Sequence, residues 1–395
     1  MLFSLALILI IGFSLSGIFN RLKIPGLIGM ILTGIFLGPY VLNLISDDIL
    51  NISADLREIS LIVILTRAGL TIDINDLKKV GRPAILMCFV PATLEILAVT
   101  ILAPIFLNVS YLEAAIMGTV LAAVSPAIIV PRMIHLMESG HGKDKNIPQL
   151  IMAGASVDDI YVIVLFTAFL GMYGGDDFSA STLLSVPVSI LLGMLLGIVT
   201  GLVLVRVFKS LHIRDTIKVL IILSTSFIFV SLETFLEPYF PMSGLLAVMA
   251  LGATILKTYP VLAKRIMGKF SKIWVGAELM LFVLVGAAVD ISYLTGAGLM
   301  SVLLILSALL LRIVGVYLSL IKTNLNLKEK LFCAISYVPK ATVQAAIGAI
   351  PLTAGVESGN TILTVAVLAI MITAPIGAIG IDQTYTRFLS MKSAT

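Results

Sequence analysis

Thirteen mostly apolar stretches follow one another along this chain, each about 20 residues long and so able to cross ~30 Å of hydrocarbon as a helix. They run approximately over 2–19, 26–44, 57–74, 83–107, 111–137, 148–172, 181–208, 216–236, 241–257, 270–290, 297–321, 328–354 and 361–385. With 59% of residues hydrophobic and 12% charged, too little polar surface exists to cover a water-soluble core. Inside lipid each backbone donor and acceptor must be satisfied within the protein, which selects helices over open strands. The predicted fold class is an all-α polytopic membrane protein of 13 transmembrane helices, one membrane domain over 1–395. Arg21 and Lys23 follow the first run and no basic residue precedes it, the reverse of a secretory leader, so it is read as a spanning helix.

Basic residues set an expected orientation. Every second connection is basic: Arg21 and Lys23; Lys78, Lys79 and Arg82; Arg132, Lys143 and Lys145; Arg206, Lys209, Arg214 and Lys218; Lys257, Lys264, Arg265, Lys269 and Lys272; Lys322, Lys328 and Lys330; Arg387 and Lys392. The opposite connections carry Asp47, Asp48, Asp55, Asp176, Asp177 and Glu357, with Arg57 alone on the basic side. By the excess of Lys and Arg on cytoplasmic loops, the amino terminus is outside and the carboxyl terminus cytoplasmic, which requires an odd number of spans.

The chain also repeats itself. Gly69–Ile74 matches Gly286–Ile291; Ser125-Pro126 with Val130 matches Val338-Pro339 with Val343; Pro25 with Gly34 matches Pro241 with Gly252. The offset stays between 213 and 218 positions. Spans 2–6 (26–172) and 9–13 (241–385) therefore form two five-helix repeats. The seven spans between equivalent members invert their topology, a pattern of secondary transporters with a site near the midplane. Pro126 and Pro339 stand mid-span at related positions, where proline frees backbone groups; two broken helices crossing at the midplane are expected.

Ionisable side chains gather at that depth: Glu95, Asp158, Asp159, Arg312 and Lys340. Isolated in hydrocarbon, five such groups would cost on the order of 15 kcal/mol, as much as a fold's typical net stability, so they must pair. Three carboxylates face two cations, and one carboxylate is left over. A lone buried carboxylate regains neutrality by taking a proton or a metal cation, the basis of proton–cation exchange. Glu95 with Arg312 is the expected permanent bridge and Lys340 with Asp158 a weaker contact, since arginine holds its proton and a desolvated lysine can release it. That leaves Asp159 as the principal cation and proton site, beside Asp158. Arg67 and Glu278 form a second candidate ion pair. The Gly193, Gly197 and Gly201 series permits a close helix contact, within or between subunits. Cys88 and Cys333 lie in apolar runs as small core residues, and His135, His141 and His212 lie in polar connections without ligand spacing.

Here the chain resembles the monovalent cation–proton antiporter superfamily. Ala155-Ser156-Val157-Asp158-Asp159 is similar to its paired-aspartate ion site, and Val338–Leu352, VPKATVQAAIGAIPL, resembles the broken helix of the branch holding the animal sodium–proton antiporters of the NHA type. The resemblance implies exchange of Na+ or Li+ for H+ by alternating access, with Asp158 and Asp159 holding the transported Na+. Glu95, Arg312, Lys340, Ser125, Ser156 and Thr342 are supporting groups. It also implies a homodimer in the cell membrane, with ion-translocation helices in 57–172 and 270–385 and dimerisation or scaffold helices in 1–44 and 181–257. No cofactor, nucleic acid or enzymatic activity is expected. Electrogenic relatives often carry lysine where this chain has Arg312, and electroneutral ones an Asn-Asp pair where it has Asp158-Asp159. An arginine cannot supply a second proton, which favours electroneutral exchange.

Three other readings compete. A K+/H+ efflux antiporter often appends a nucleotide-binding domain, for which no Gly-rich fingerprint is seen. A sodium-coupled solute symporter of similar fold needs surplus polar groups for its solute. An intramembrane aspartyl protease needs two carboxyls on one peptide bond, whereas neighbours on a helix point about 100° apart.

Overall fold

The structure is a computed structural model and describes residues 1–71, 81–173, 180–211, 213–236, 240, 242–290 and 292–391. The side chains of 156, 180–187, 190, 234 and 293–297 are outside that description. In chain order the helices are α1 (Leu2–Arg21), α2 (Gly26–Leu37), α3 (Asp47–Asn51), α4 (Ser53–Thr71), α5 (Arg82–Leu107), α6 (Tyr111–Ala122), α7 (Pro126–Ser139) and α8 (Ile147–Tyr173). They continue as α9 (Ala180–Ser210), α10 (Asp215–Leu236), α11 (Gly244–Thr258), α12 (Pro260–Ala287), α13 (Ser292–Ser319), α14 (Leu327–Ser336), α15 (Thr342–Ile347), α16 (Ile350–Thr353) and α17 (Gly359–Phe388). Among the described residues nine helical stretches are long and apolar enough to cross a membrane, and α2 and α11 are shorter apolar helices. The outward faces of α1, α5 and α9 expose Phe3, Ile10, Ile101, Ile105, Leu191 and Leu195, the surface a lipid-embedded helix requires.

The chain forms two compact units: Met1–Ala54 with Asn75–Phe169 and Phe282–Thr395, and Asp55–Ile74 with Leu170–Leu281. In the first, α5 packs along α13 and α6, and α17 packs against α13 and α14. In the second, α11 packs between α9 and α10. Gly193, Gly197 and Gly201 face Ser243, Ala247 and Thr254 of α11, so this glycine series serves a contact within the chain.

Two further glycine contacts bear on the repeat. In the first unit the backbones of α2 and α12 meet at Gly34 and Gly286, where a Cβ would strike Val283 O or Ile31 O. In the second, α4 and α11 meet at Gly69 and Gly252, where a Cβ on Gly252 would stand 2.9 Å from Gly69 C and Leu70 N. The same two positions of the repeat motif thus touch in both units. The motif positions Ile72, Asp73, Ile74, Pro241 and Ile291 lie outside the described residues, as do Lys78, Lys79, Asp176, Asp177, His212 and Lys392.

Both mid-span prolines stand at interruptions. α6 ends at Ala122, and Ala123 and Ser125 are extended before α7 begins at Pro126. α14 ends at Ser336, and residues 337–341 are not helical before α15. The two breaks touch, with Ser125 N–H donating to Pro339 O at 2.8 Å. Gly377 of α17 lets that helix lie directly on Pro339.

A methyl at Gly286 overpacks a backbone contact, which costs about 1–3 kcal/mol. Gly286→Ala is therefore expected to lower the melting temperature in detergent. Gly268→Ala, in the same helix with nothing within 4 Å of its Cβ, should leave it unchanged or raise it.

Candidate functional site

The interruptions need partners before they need a function. A helix C-terminus leaves carbonyls unpaired, and no water reaches the middle of an apolar bundle to serve them. At the end of α6 three side chains supply the donors. Lys340 Nζ donates to Leu121 O at 2.6 Å, and Gln344 Nε2 to Leu121 O at 3.2 Å and Ala123 O at 2.7 Å. Arg312 Nη1 donates to Ala122 O. Beyond the break, Val124 N–H donates to Asp158 Oδ2 at 2.9 Å. At the other break, Lys340 N–H donates to Thr373 Oγ1 at 3.1 Å and Arg312 Nε to Tyr337 O at 2.9 Å.

Arg312 is fully buried at the hub of this network. Besides the two carbonyls it binds Glu95 Oε2 through Nη1 at 2.9 Å and Asp158 Oδ2 through Nη2 at 2.8 Å, and lies 5.4 Å from the Tyr337 ring centroid. Lys340 Nζ reaches Glu95 Oε1 at 2.7 Å and Oε2 at 2.9 Å. The expected Glu95–Arg312 bridge is present. The expected Lys340–Asp158 contact is not: Glu95 takes both cations, and Asp158 is held by Arg312 and a backbone amide. Lys340 spends its three ammonium donors on the two Glu95 oxygens and Leu121 O, while the guanidinium of Arg312 spans both carboxylates.

Neighbouring packing explains the reach. Gly315, one turn from Arg312, lets α13 close on Pro91 of α5, one turn before Glu95: a Cβ there would stand 2.6 Å from Pro91 Cα. Tyr161, one turn past Asp158 on α8, bonds Thr93 at 2.8 Å and meets Phe89 edge-on, fixing α8 against α5.

Asp159 is 8% exposed and joins no ion pair among the described residues, among which its Oδ1 also has no hydrogen-bond partner. Also buried without a partner are Asp158 Oδ1, Ser125 Oγ, Thr342 Oγ1, Gln344 Oε1 and Tyr337 OH. Unmet buried atoms also occur on Ser46, Arg57, Arg67, Gln149 and Ser358, but only at Asp158 and Asp159 do two carboxylates adjacent in sequence carry them, and each such atom costs about 1–3 kcal/mol unless a ligand meets it. The oxygen-only character suits a hard monovalent cation. Among the described residues no group of three or more His, Cys, Asp and Glu gathers as a metal cluster, so carboxylates joined by neutral oxygens are the donors on offer.

The side chain of Ser156 lies outside the described residues. Arg67 and Glu278 interact through their charges, with no contact between them within 4.0 Å among the described residues. The Arg67 guanidinium also lies 5.5 Å from the ring centroid of Trp274, one turn before Glu278 on α12, a cation–π contact beside the charge interaction. Cys88 and Cys333 are free and buried, as expected of core residues. Gln344 and Tyr337 were not legible as site residues, although a glutamine four positions after Lys340 in an apolar run was a signal of a polar need on that face.

A polytopic helical membrane protein whose interrupted helices meet beside an unpaired buried carboxylate belongs to the class of ion-coupled membrane carriers. The chain matches the family model described as sodium/hydrogen exchanger, transmembrane, over residues 5–386, and belongs to that family. It is 34% identical over 382 residues to sodium/hydrogen exchanger 9B2 of Bison bison bison, covering 93% of this chain and 70% of the relative. Sodium/hydrogen exchanger 9B1 of Mus musculus is 33% identical over 382 residues, 94% of this chain and 67% of the relative. The sodium proton antiporter MjNhaP1 of Methanocaldococcus jannaschii at pH 8 shares the fold, with a TM-score of 0.83, 21% identity and 97% of each chain covered.

Removing one partner of a buried ion network costs about 3–5 kcal/mol. Glu95→Gln is expected to lower thermal stability in detergent clearly. Gln344→Leu, which strips a donor from Ala123 O, should lower it by a smaller amount. A melting curve of Glu95→Gln that matches wild type would sink the brace assignment.

Proposed function

We infer that the chain is a secondary active antiporter that exchanges Na+ for H+ across a membrane by alternating access. The observation carrying this is the charge balance: Glu95 and Asp158 are matched by Arg312 and Lys340, and Asp159 remains. A carboxylate in that position holds either a cation or a proton, so loading one releases the other. Family membership and the curated relatives' names point the same way.

The finer parts of the reading are proposals. Asp159 is the principal site for Na+, Li+ and H+, with Asp158, Ser125 and Thr342 as neighbouring oxygens. Glu95, Arg312 and Lys340 brace it. Exchange is electroneutral, one H+ for each Na+, because the brace holds its cations in ion pairs and only one carboxylate is free to cycle. The frame has thirteen spans in two inverted repeats. The paired glycine contacts of α2 with α12 and α4 with α11, and the matched interruptions, support it. The protein sits in the cell membrane with its amino terminus outside and works as a homodimer. Its ion-translocation helices lie in 57–172 and 270–385 and its scaffold in 1–44 and 181–257. These functional boundaries differ from those of the compact units, because they follow expected movement rather than contact density.

Proteoliposomes carrying a pH dye test the reading. Na+ or Li+ added to wild type should dequench the dye and K+ should not; a response to K+ alone would favour the efflux antiporter. Asp159→Asn should abolish the response while its melting temperature stays at or above wild type. With voltage clamped by a K+ ionophore, the reversal point should not move with membrane potential, and a shift would overturn one-for-one exchange.

A further inference from the structure

Among the described residues two buried carboxylates stand apart from the ion network and from Asp159: Glu113 and Glu329. Each closes a capping box at the start of an interrupted helix. Ser110 N–H donates to Glu113 Oε2 at 2.9 Å while Glu113 N–H donates to Ser110 Oγ at 3.3 Å. Asn326 N–H donates to Glu329 Oε2 at 2.7 Å while Glu329 N–H donates to Asn326 Oδ1 at 2.9 Å. A capping box uses one carboxylate oxygen, and both residues use the rest on another helix. Glu113 Oε1 accepts from Ser358 N–H at 3.0 Å, immediately before α17. Glu329 receives Lys145 Nζ on both oxygens at 2.8 Å, two residues before α8. The glutamates stand 216 positions apart and their outside partners 213 apart, within the offset of the repeat.

We propose that Glu113 and Glu329 are repeat-related clamps, and that the Glu329–Lys145 clamp positions α8, and with it Asp158 and Asp159, against the break at 337–341. The proposal rests on the exchange reading. α8 runs unbroken from Ile147 through Asp159, about 18 Å at ~1.5 Å per residue, so movement at its foot is carried to the carboxylates. The turn before it is tight: Asn146 has φ +52° and Ile147 N–H donates back to Gly142 O at 3.0 Å. Lys145 is 32% exposed and Glu329 2%, so this clamp is a charge contact open to the aqueous side, whereas its counterpart is a neutral amide contact. Lys145 and Glu329 are positioning residues, since neither reaches the cation.

Glutamine keeps a capping box, so Glu329→Gln removes the ionic clamp and spares the cap. In Na+-driven proteoliposome exchange, Lys145→Met and Glu329→Gln should each raise the half-saturating Na+ concentration about 3–10-fold with the maximal rate little changed. The double variant should be no worse than either single, and Lys145→Arg should stay near wild type. Glu113→Gln leaves one amide oxygen for two backbone donors, Ser110 N–H and Ser358 N–H, so it should lower the melting temperature while the half-saturating Na+ concentration stays near wild type. Amide hydrogen exchange over 147–155 should quicken in Lys145→Met and Glu329→Gln and not in Lys145→Arg. Additive losses, or wild-type half-saturation and amide exchange in Lys145→Met, overturn the clamp. A wild-type protein that moves no Na+ overturns the exchange reading instead, and the amide exchange then decides the clamp by itself.

Discussion

A helix interrupted inside an apolar bundle has carbonyls and amides with nowhere to turn, and Arg312 is what makes the interruption tolerable here. Its donors reach Glu95 on α5, Ala122 at the end of α6, Asp158 on α8 and Tyr337 at the start of the second break. Four segments are thereby held by one side chain. A guanidinium suits that task because its donors fan out in a fixed plane and its charge does not leave. Lys340 and Gln344 complete the set by serving Leu121 and Ala123. Burying such a network carries a large desolvation cost, offset only when every donor and acceptor is met. The atoms left unmet beside this network are therefore informative, and they include one oxygen each of Asp158 and Asp159.

The membrane class, the charged constellation and the Glu95–Arg312 bridge were legible because hydrocarbon penalises each polar group strongly, so a polar residue within an apolar run announces a purpose. The interruptions were legible from Pro126 and Pro339 because they stand mid-span at repeat-related positions, whereas Pro91, Pro104, Pro131 and Pro375 stand inside continuous helices. The partner of Lys340 was not, since three carboxylates lay at one depth and depth alone cannot say which of them a lysine crosses to meet. The aromatic partner of Arg67 was not legible for a related reason: Trp274 and Glu278 sit one turn apart on the same helix, and the guanidinium meets both an aromatic face and a charge there. The capping boxes of Ser110 with Glu113 and Asn326 with Glu329 are local patterns that the sequence expectations did not include. Their outside partners are more than 180 positions distant in sequence, where pattern has no reach.

The two halves carry out matching tasks with different chemistry. Glu95 and Arg312 are 217 positions apart, so the central bridge joins residues at related places in the two halves. Val124 N–H in one break is capped by Asp158 and Lys340 N–H in the other by Thr373, with the amides 216 and the caps 215 positions apart. The threonine shows that capping a broken helix at this position requires an acceptor but no charge. Asp158 must therefore owe its negative charge to something else, and Arg312 at 2.8 Å is the group that needs it. Asp159 has Ala374 at the corresponding place, so its carboxylate answers to no counterpart in the fold. A charge that neither caps, braces nor balances among the described residues is kept at the cost of burial, and the alternation between a cation and a proton proposed for Asp159 is a use that would offset that cost.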